Sequence, residues 1–378
     1  MRVAVIHGGT STEHDVSVAS GHGIIAGLRN AGHDVVPVLL ERSGEWRTCT
    51  GSGVRHAVET LLGCDVAVPA LHGVVGEDGT IQGFLEILGV PYVGSPVAAS
   101  AVCLDKQLTK LVVAAAGVPV APGLLVPSER AVAATRSAGE LERLVDDVTA
   151  AGLLGPLFVK PAHGGSSLGV TRIDVAADRT HRARPGALAA ELSTALSTAL
   201  STALSTALST ALSTALESGT DAVIIEAEVA GLEVDVPVLE LPDGRVRCGP
   251  TLLVESDPGE PFFTATAKYA SAGTRFTVPA GLPRGQTRRL ERLATTAYRA
   301  LGCRGLARVD FLVGPDGPVL NEVNTFPGFT PTSQFPRMWA AAGLTYPELV
   351  DVLVRTAAAR PVPATGHPVD ASSGVGVR

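Results

Sequence analysis

Short apolar runs alternate with amphipathic stretches over residues 1–100. Val3–Ile6 is a continuous apolar run of strand length. The turn Gly8-Gly9-Thr10-Ser11-Thr12-Glu13 follows, then a helical pattern through Asn30. Val35–Leu40 and Asp65–Ala70 have the same strand character, residues 80–88 suit a helix, and Gly89–Gly94 a further strand. Strands that alternate with helices predict an α/β fold with a parallel sheet covered on both faces. Rossmann-type dinucleotide binding is the alternative to test, and the first turn lacks its G-x-G-x-x-G spacing.

Further along, helices are predicted at Asp105–Ala116, near Ala138–Ala151, at Gln286–Leu301 and at Tyr346–Ala358. Strands are predicted near Gly123–Val126 and at Leu157–Lys160, Val170–Ile173 and Asp221–Glu226. Lys160 leads directly into Pro161-Ala162-His163-Gly164-Gly165-Ser166-Ser167-Leu168-Gly169. A turn of this composition lets backbone N–H groups approach phosphate oxygens closely, with hydroxyls as further donors. Ordinary hairpin turns are glycine-rich too; the adjacent lysine favours phosphate.

The densest chemistry lies in Arg308-Val309-Asp310-Phe311 and Val319-Leu320-Asn321-Glu322-Val323-Asn324, joined by Gly314-Pro315-Asp316-Gly317. Side chains alternate faces along a strand, so Glu322 and Asn324 share one face, as do Arg308 and Asp310. Val309, Phe311, Val319 and Val323 then form the core face. A hairpin presenting Asp310, Glu322 and Asn324 together offers hard oxygen ligands to Mg²⁺, which binds through a few carboxylates plus nucleotide phosphates. A solvated hairpin face is the plainer alternative.

Ser193–Leu216 is six copies of Ser-Thr-Ala-Leu. A period of four on a helix makes a leucine ridge that drifts by about 40° per copy, and the segment would be about 36 Å long. Ser and Thr are mediocre helix formers, so partial order and a functionally neutral expansion are expected. The tail from Pro361 is rich in Pro, Gly and Ser and is expected to be disordered.

Composition narrows the function classes. The 378 residues, 46% hydrophobic and 18% charged, are enough for two or three globular domains. The net charge of −7 and the absence of a basic stripe argue against nucleic acid. The five cysteines lack C-x-x-C spacing, so neither zinc nor a disulfide framework is indicated. No window reaches membrane-spanning length and the first apolar run is too short for a signal peptide, so a cytoplasmic location is expected.

The ordered series His7–Ser17, Ala70–Gly79, Leu104-Asp105-Lys106, Val159-Lys160-Pro161 with Gly165-Ser166-Ser167, Ala267-Lys268-Tyr269, Arg308-Val309-Asp310 and Asn321–Thr330 resembles the D-alanine–D-alanine ligases of the ATP-grasp superfamily. The resemblance spans nearly the whole chain outside the repeats and tail. It implies an ATP-grasp fold preceded by a Rossmann-like domain. The segments would be an N-terminal domain over 1–100, a central subdomain over 101–226 with the repeat insertion at 193–216, a C-terminal subdomain over 227–360, and the tail 361–378. It implies ATP and D-alanine as substrates, a pair of Mg²⁺ ions (Mn²⁺ could substitute), a homodimer, and a role in peptidoglycan precursor synthesis.

Residue roles follow from the same resemblance. Lys106, Lys160 and Lys268 would neutralise the ATP phosphates, Glu233 would meet the ribose, and Glu226 and Val229 the adenine. Asp310, Glu322 and Asn324 would hold the metal. Glu13 would bind the ammonium of the first D-alanine, locked by Ser166 and Tyr269, with His72 near that substrate's carboxylate. Arg308 and the N–H of Gly328 would form the oxyanion site, and Ser333 would take the second carboxylate. Plainer roles exist for several: Glu13 as a charge at a helix N-terminus, His72 as a structural histidine, Ser333 as a local cap, and Arg308 as the ion-pair partner of Asp310.

The chain departs from the family at Phe262–Tyr269, where Phe263, Thr264 and Thr266 stand in place of a tyrosine and acids. That change leaves open a related ligase with another second substrate, such as a different D-amino acid or D-lactate. A non-catalytic nucleotide-binding protein is disfavoured by the retained lysines and metal-type residues. Tyr269 resembles the dipeptide-forming members, which predicts a D-amino acid as nucleophile; D-lactate turning over equally well at neutral pH would contradict this.

Overall fold

The computed structural model describes residues 1–153, 155–164, 168–174, 203–255 and 274–360. Ser166, Lys268, Tyr269, the divergent loop residues Phe263, Thr264 and Thr266, the first repeats and the tail lie outside them.

The N-terminal region comprises β1 (Arg2–Gly8), α1 (His14–Asn30), β2 (Asp34–Leu40), β3 (Trp46–Thr48), β4 (Gly51–Ser52), α2 (Val54–Leu62), β5 (Val66–Pro69) and α3 (Thr80–Leu88). The sheet order is β4-β3-β2-β1-β5. β1 runs parallel to both β2 and β5, and the two short edge strands pair antiparallel. Val3 and Val5 face a core containing Ile24, Ile25 and Leu28 of α1, whereas Ala4 and Ile6 face Leu61 of α2 and Leu85 of α3. Both faces are covered, which is why β1 reads as an unbroken apolar run. The strand expected over Gly89–Gly94 is reduced to a single bridge between Ala67 and Tyr92.

Next come α4 (Val97–Leu104), α5 (Lys106–Ala115), β6 (Gly123–Pro127), α6 (Ser128–Arg136), α7 (Ala138–Ala150), β7 (Leu157–Pro161), β8 (Thr171–Ile173) and β9 (Ala222–Ala227). The four strands form an antiparallel sheet in the order β6-β9-β7-β8. Asp105 caps α5 by accepting from the Leu108 N–H at 2.9 Å, so Lys106 stands at the first position of that helix. Residues 203–216 are helical. Leu208, Ala211, Leu212 and Ala215 are fully buried against Leu157, Val159 and Ile225 of this sheet. The last copies of the repeat therefore build core, which is more order than their composition predicts.

The remaining elements are β10 (Leu232–Glu240), β11 (Val246–Cys248), β12 (Leu252–Glu255), β13 (Arg275–Thr277), a helix over Arg284–Ala300, β14 (Leu306–Gly314), β15 (Gly317–Asn324), and helices over Gln334–Ala341 and Tyr346–Ala358. The third sheet runs β13-β12-β10-β14-β15, with β11 beside β10. The last helix starts with a capping box between Thr345 and Glu348. Its Leu349, Val350, Leu353 and Val354 pack into the core that also holds Val3, Val5 and α1, which ties the C-terminal end of the chain to the first sheet.

Two predictions concern the repeat. Leu212→Ala should lower stability by about 2–5 kcal/mol, read from chemical denaturation. Deleting residues 193–208 brings Leu192 into register with the position of Leu208, so that variant should keep its unfolding midpoint and activity. Aggregation of the shortened chain would show that the removed copies hold the fold.

Candidate active site

β14 and β15 pair antiparallel with Arg308 opposite Asn324 and Asp310 opposite Glu322. The register then slips, because Phe311 faces Leu320 and Asn321 is the extra residue of a β-bulge. The slip changes which side chains face inward. Leu320 is fully buried and Val319 only half-buried, so the core face expected at Val319 belongs to its neighbour. The bulge leaves Glu322 and Asn324 on the face of Arg308 and Asp310.

On that face, Arg308 donates to both oxygens of Asp310, Nε to Oδ1 at 2.8 Å and Nη2 to Oδ2 at 2.7 Å. Its Nη1 donates to Gln334 Oε1 at 2.9 Å, and Asn324 Nδ2 donates to Asp310 Oδ2 at 2.9 Å. Arg308 is thus the ion-pair partner of Asp310, and these bonds leave part of its five-donor guanidinium for another acceptor. Asp235 of β10 lies directly opposite Asp310 on the other side, 3.5 Å from Arg308 Nε and almost fully buried. Burial and the Asp310 charge hold the Asp235 carboxyl well above the usual range. Burial disfavours the Arg308 cation, but Asp310 and Asp235 outweigh it and hold its pKa above the ordinary value.

Two carboxylates and an amide are hard donors of the kind Mg²⁺ takes, and half-exposed Glu322 and Asn324 leave them reachable. Among the described residues, no three His, Cys, Asp or Glu side chains form a metal cluster. The remaining ligands would come from a bound phosphate and water.

A second group of residues comes from the first sheet. Glu13 occupies the N-cap of α1, as its plainer reading expects, and its Oε2 also lies where a side chain at Gly73 would sit (2.9 Å from an ideal Cβ). Gly73, at φ +72°, leaves that space open and donates its N–H to Glu77 Oε2 at 2.7 Å. Burial and the Glu13 charge push Glu77 up to about 8. His72 is buried, and burial lowers its pKa, which keeps the ring neutral. Its Nε2 lies 3.1 Å from Ser20 Oγ, and the same oxygen accepts the Phe329 N–H at 3.2 Å. Ser20 therefore joins the His72 loop to the segment carrying Gly328. Ser333 stands at the N-cap position of a helix without a side-chain bond to it; its Oγ accepts the Thr330 N–H at 3.0 Å and so closes the preceding turn, and Gly328 lies beside it.

The third group is cationic. Lys106 donates to the carbonyl of Gly164 in the glycine turn. Lys160 pairs with Glu226 at 2.5 Å, and Lys110, one helical turn after Lys106, contacts the other oxygen of that carboxylate. Burial and Lys106 push Lys160 down to about 8. His163 bridges Asp221 at 2.7 Å and Asp105 at 3.0 Å, fastening the glycine turn to the start of α5. Val229 is half-buried in the loop after β9, and Glu233 is on β10 opposite Leu312. Glu322 acts electrostatically on Lys110, Lys160 and Glu77, so the three groups surround one site. Sequence reasoning missed Lys110, Glu77, Asp235 and Ser20. The i, i+4 spacing of Lys106 and Lys110, and Ser17 and Ser20 on the otherwise apolar inner face of α1, were the available signals.

Family models described as D-ala D-ala ligase N-terminus and C-terminus match residues 2–60 with 48–95, and 197–355. A D-alanine–D-alanine ligase of Corynebacterium aurimucosum is 38% identical over 95% of this chain and 98% of its own. The chain belongs to the D-alanine–D-alanine ligase family. A Mycobacterium bovis member of the same name is 36% identical, with 96% of each chain covered. Among solved structures, the VanG D-Ala:D-Ser ligase of Enterococcus faecalis matches with a TM-score of 0.70 and 30% identity over 94% of this chain and 99% of its own. The Bacillus anthracis ligase complexed with ATP matches at 0.65 and 28%, over 94% and 97%. The ATP-grasp fold expected from the motifs is the fold of this family. No helix among the described residues is long and apolar enough to cross a membrane.

Two outcomes follow for the family-type site. Ser20→Ala removes the shared partner of His72 and the Phe329 N–H, and should cost about 1–3 kcal/mol in denaturation. Glu77 has a folded pKa above its unfolded one, so its contribution to stability is present at low pH and is lost as pH rises toward 8. The unfolding midpoint of wild type should fall more between pH 6 and 8 than that of Glu77→Gln; equal slopes would show that Glu77 ionises normally.

Proposed function

We propose that the chain joins two D-alanines into D-alanyl-D-alanine, with ATP activating the first carboxylate as an acyl phosphate. The observation that carries this reading is the convergence on Glu322 of a carboxylate–amide hairpin, a lysine cluster and the acids Glu13 and Glu77 beside a neutral histidine. Family membership and the ATP-bound Bacillus anthracis relative supply the nucleotide.

Lys106 and Lys160 would meet the phosphates, with Lys268 closing over them. Transfer of a phosphoryl group needs mainly charge stabilisation and positioning, which fixed cations supply. Asp310, Glu322 and Asn324 would hold Mg²⁺, which when bound neutralises phosphate oxygens. Glu226 and Val229 would receive the adenine and Glu233 the ribose. Glu13, with Ser166 and Tyr269, would anchor the first substrate's ammonium beside His72. Arg308, immobilised by Asp310 and Gln334, would direct its remaining N–H groups with that of Gly328 at the tetrahedral oxyanion. Ser333 would take the second carboxylate, and attack by the second amine would release phosphate.

The likeness to the Enterococcus faecalis D-Ala:D-Ser ligase favours one second reading, in which D-serine is the second substrate. Purified protein given ATP, Mg²⁺ and D-alanine should release ADP and form D-alanyl-D-alanine, identified by mass, and Glu322→Gln should abolish both. A mixed dipeptide formed preferentially when D-serine is added would establish the second reading. No turnover with any acceptor would overturn both.

A further inference from the structure

Lys110 has no assigned role, yet it occupies the most confined position in the lysine cluster. Its side chain is 7% exposed and that of Glu226 5%, and the two are in direct contact. Glu226 also holds Lys160, whose opposite neighbour on β9 is Ile224 while Glu226 faces Phe158. Lys160 and Glu226 therefore share a sheet face as a diagonal pair. Room for the carboxylate is kept by Gly123 on β6, where an added Cβ would come within 2.9 Å of Glu226 Cγ. One buried carboxylate thus lies between two lysine side chains, one on α5 and one on β7.

On the ligase reading, Lys160 also has to serve the nucleotide phosphates, and it cannot neutralise Glu226 and a phosphate equally well. With Lys160 drawn away, Glu226 without another cation would be a buried unpaired charge, the costliest arrangement for an ion pair that loses one partner. We propose that Lys110 is a positioning residue of the nucleotide site: it keeps Glu226 paired and fixed in place when Lys160 turns to the phosphate. This inference rests on the nucleotide role of Lys160 proposed above. Burial and the neighbouring Lys160 and Lys106 ammonium groups push the Lys110 pKa down to about 5, so Lys110 is held as an amine while Lys160 stands beside Glu226 and can take up a proton when Lys160 leaves. Lys106 starts the same helix and reaches the glycine turn, so α5 would present one lysine to the phosphate side and one to Glu226.

The test is calorimetric binding of the Mg²⁺ complex of a non-hydrolysable ATP analogue to the full chain. Four proteins are compared: wild type, Lys110→Met, Glu226→Gln and the double variant, each checked for a cooperative unfolding transition. Lys110→Met should weaken nucleotide binding by about 10- to 100-fold and raise the KM for ATP in parallel, with the KM for D-alanine little changed. In the Glu226→Gln background the same substitution should cost almost nothing, because no charge remains to compensate. Lys110→Arg should restore most of the affinity. An equal loss in both backgrounds, or wild-type affinity in Lys110→Met, would overturn the inference while leaving the ligase reading intact. A wild-type protein that binds no nucleotide would overturn both. Should Lys110→Met alone fail to fold, the double variant and Lys110→Arg still decide: a double variant that binds less than Glu226→Gln counts against the proposal.

Discussion

Asp310 is a carboxylate on a central strand, enclosed by Arg308, Asn324 and a second aspartate across the sheet. An ionised group there is tolerable only because a bidentate arginine lies on it, since desolvation penalises an isolated charge heavily. Arg308 is itself buried and depends on Asp310 and Asp235 for its charge balance. Arg308 and Asp310 are therefore mutually dependent, and removing either leaves the other a buried unpaired charge. Supporting elements fit this constraint: Gln334 steadies the outer nitrogen of Arg308, and the β-bulge at Asn321 adjusts the phase of β15 so that Glu322 and Asn324 share that face.

The same logic recurs on the other two sides. Glu226 is enclosed by two lysines, and buried Glu77 feels the Glu13 charge, which together with burial raises its pKa. A substrate that carries phosphate to the lysines and an ammonium to the acids would match the charge of each group. Fixed charges of this kind, held by packed strands and helices, favour a polar transition state without reorganising during the reaction.

Much of this was legible in the sequence where geometry is local. Alternation along β14 and β15 placed Arg308, Asp310, Glu322 and Asn324 on one face, and the apolar run of β1 foretold a sheet covered on both sides. Legibility ended where contacts are long-range. The bulge that exchanges Val319 for Leu320 is a local slip with no residue signature of its own. Asp235 reads as an ordinary strand acid until β10 is placed opposite β14, and Lys110 reads as a helix-surface lysine until α5 meets β9. Ser20 links two segments separated by hundreds of residues, a relation no periodicity carries. The last copies of the repeat are a different case: their composition is poor for a helix, and burial of Leu208 and Leu212 overrides that propensity.

The proposed metal site is the hairpin face, completed by nucleotide. Mn²⁺ binding, followed by water-proton relaxation with and without ADP, tests it most directly. Mn²⁺ should bind tightly only with ADP present, and Asp310→Asn should lose that binding while still unfolding cooperatively. Equal Mn²⁺ binding without nucleotide, or full binding in a folded Asp310→Asn protein, would contradict it.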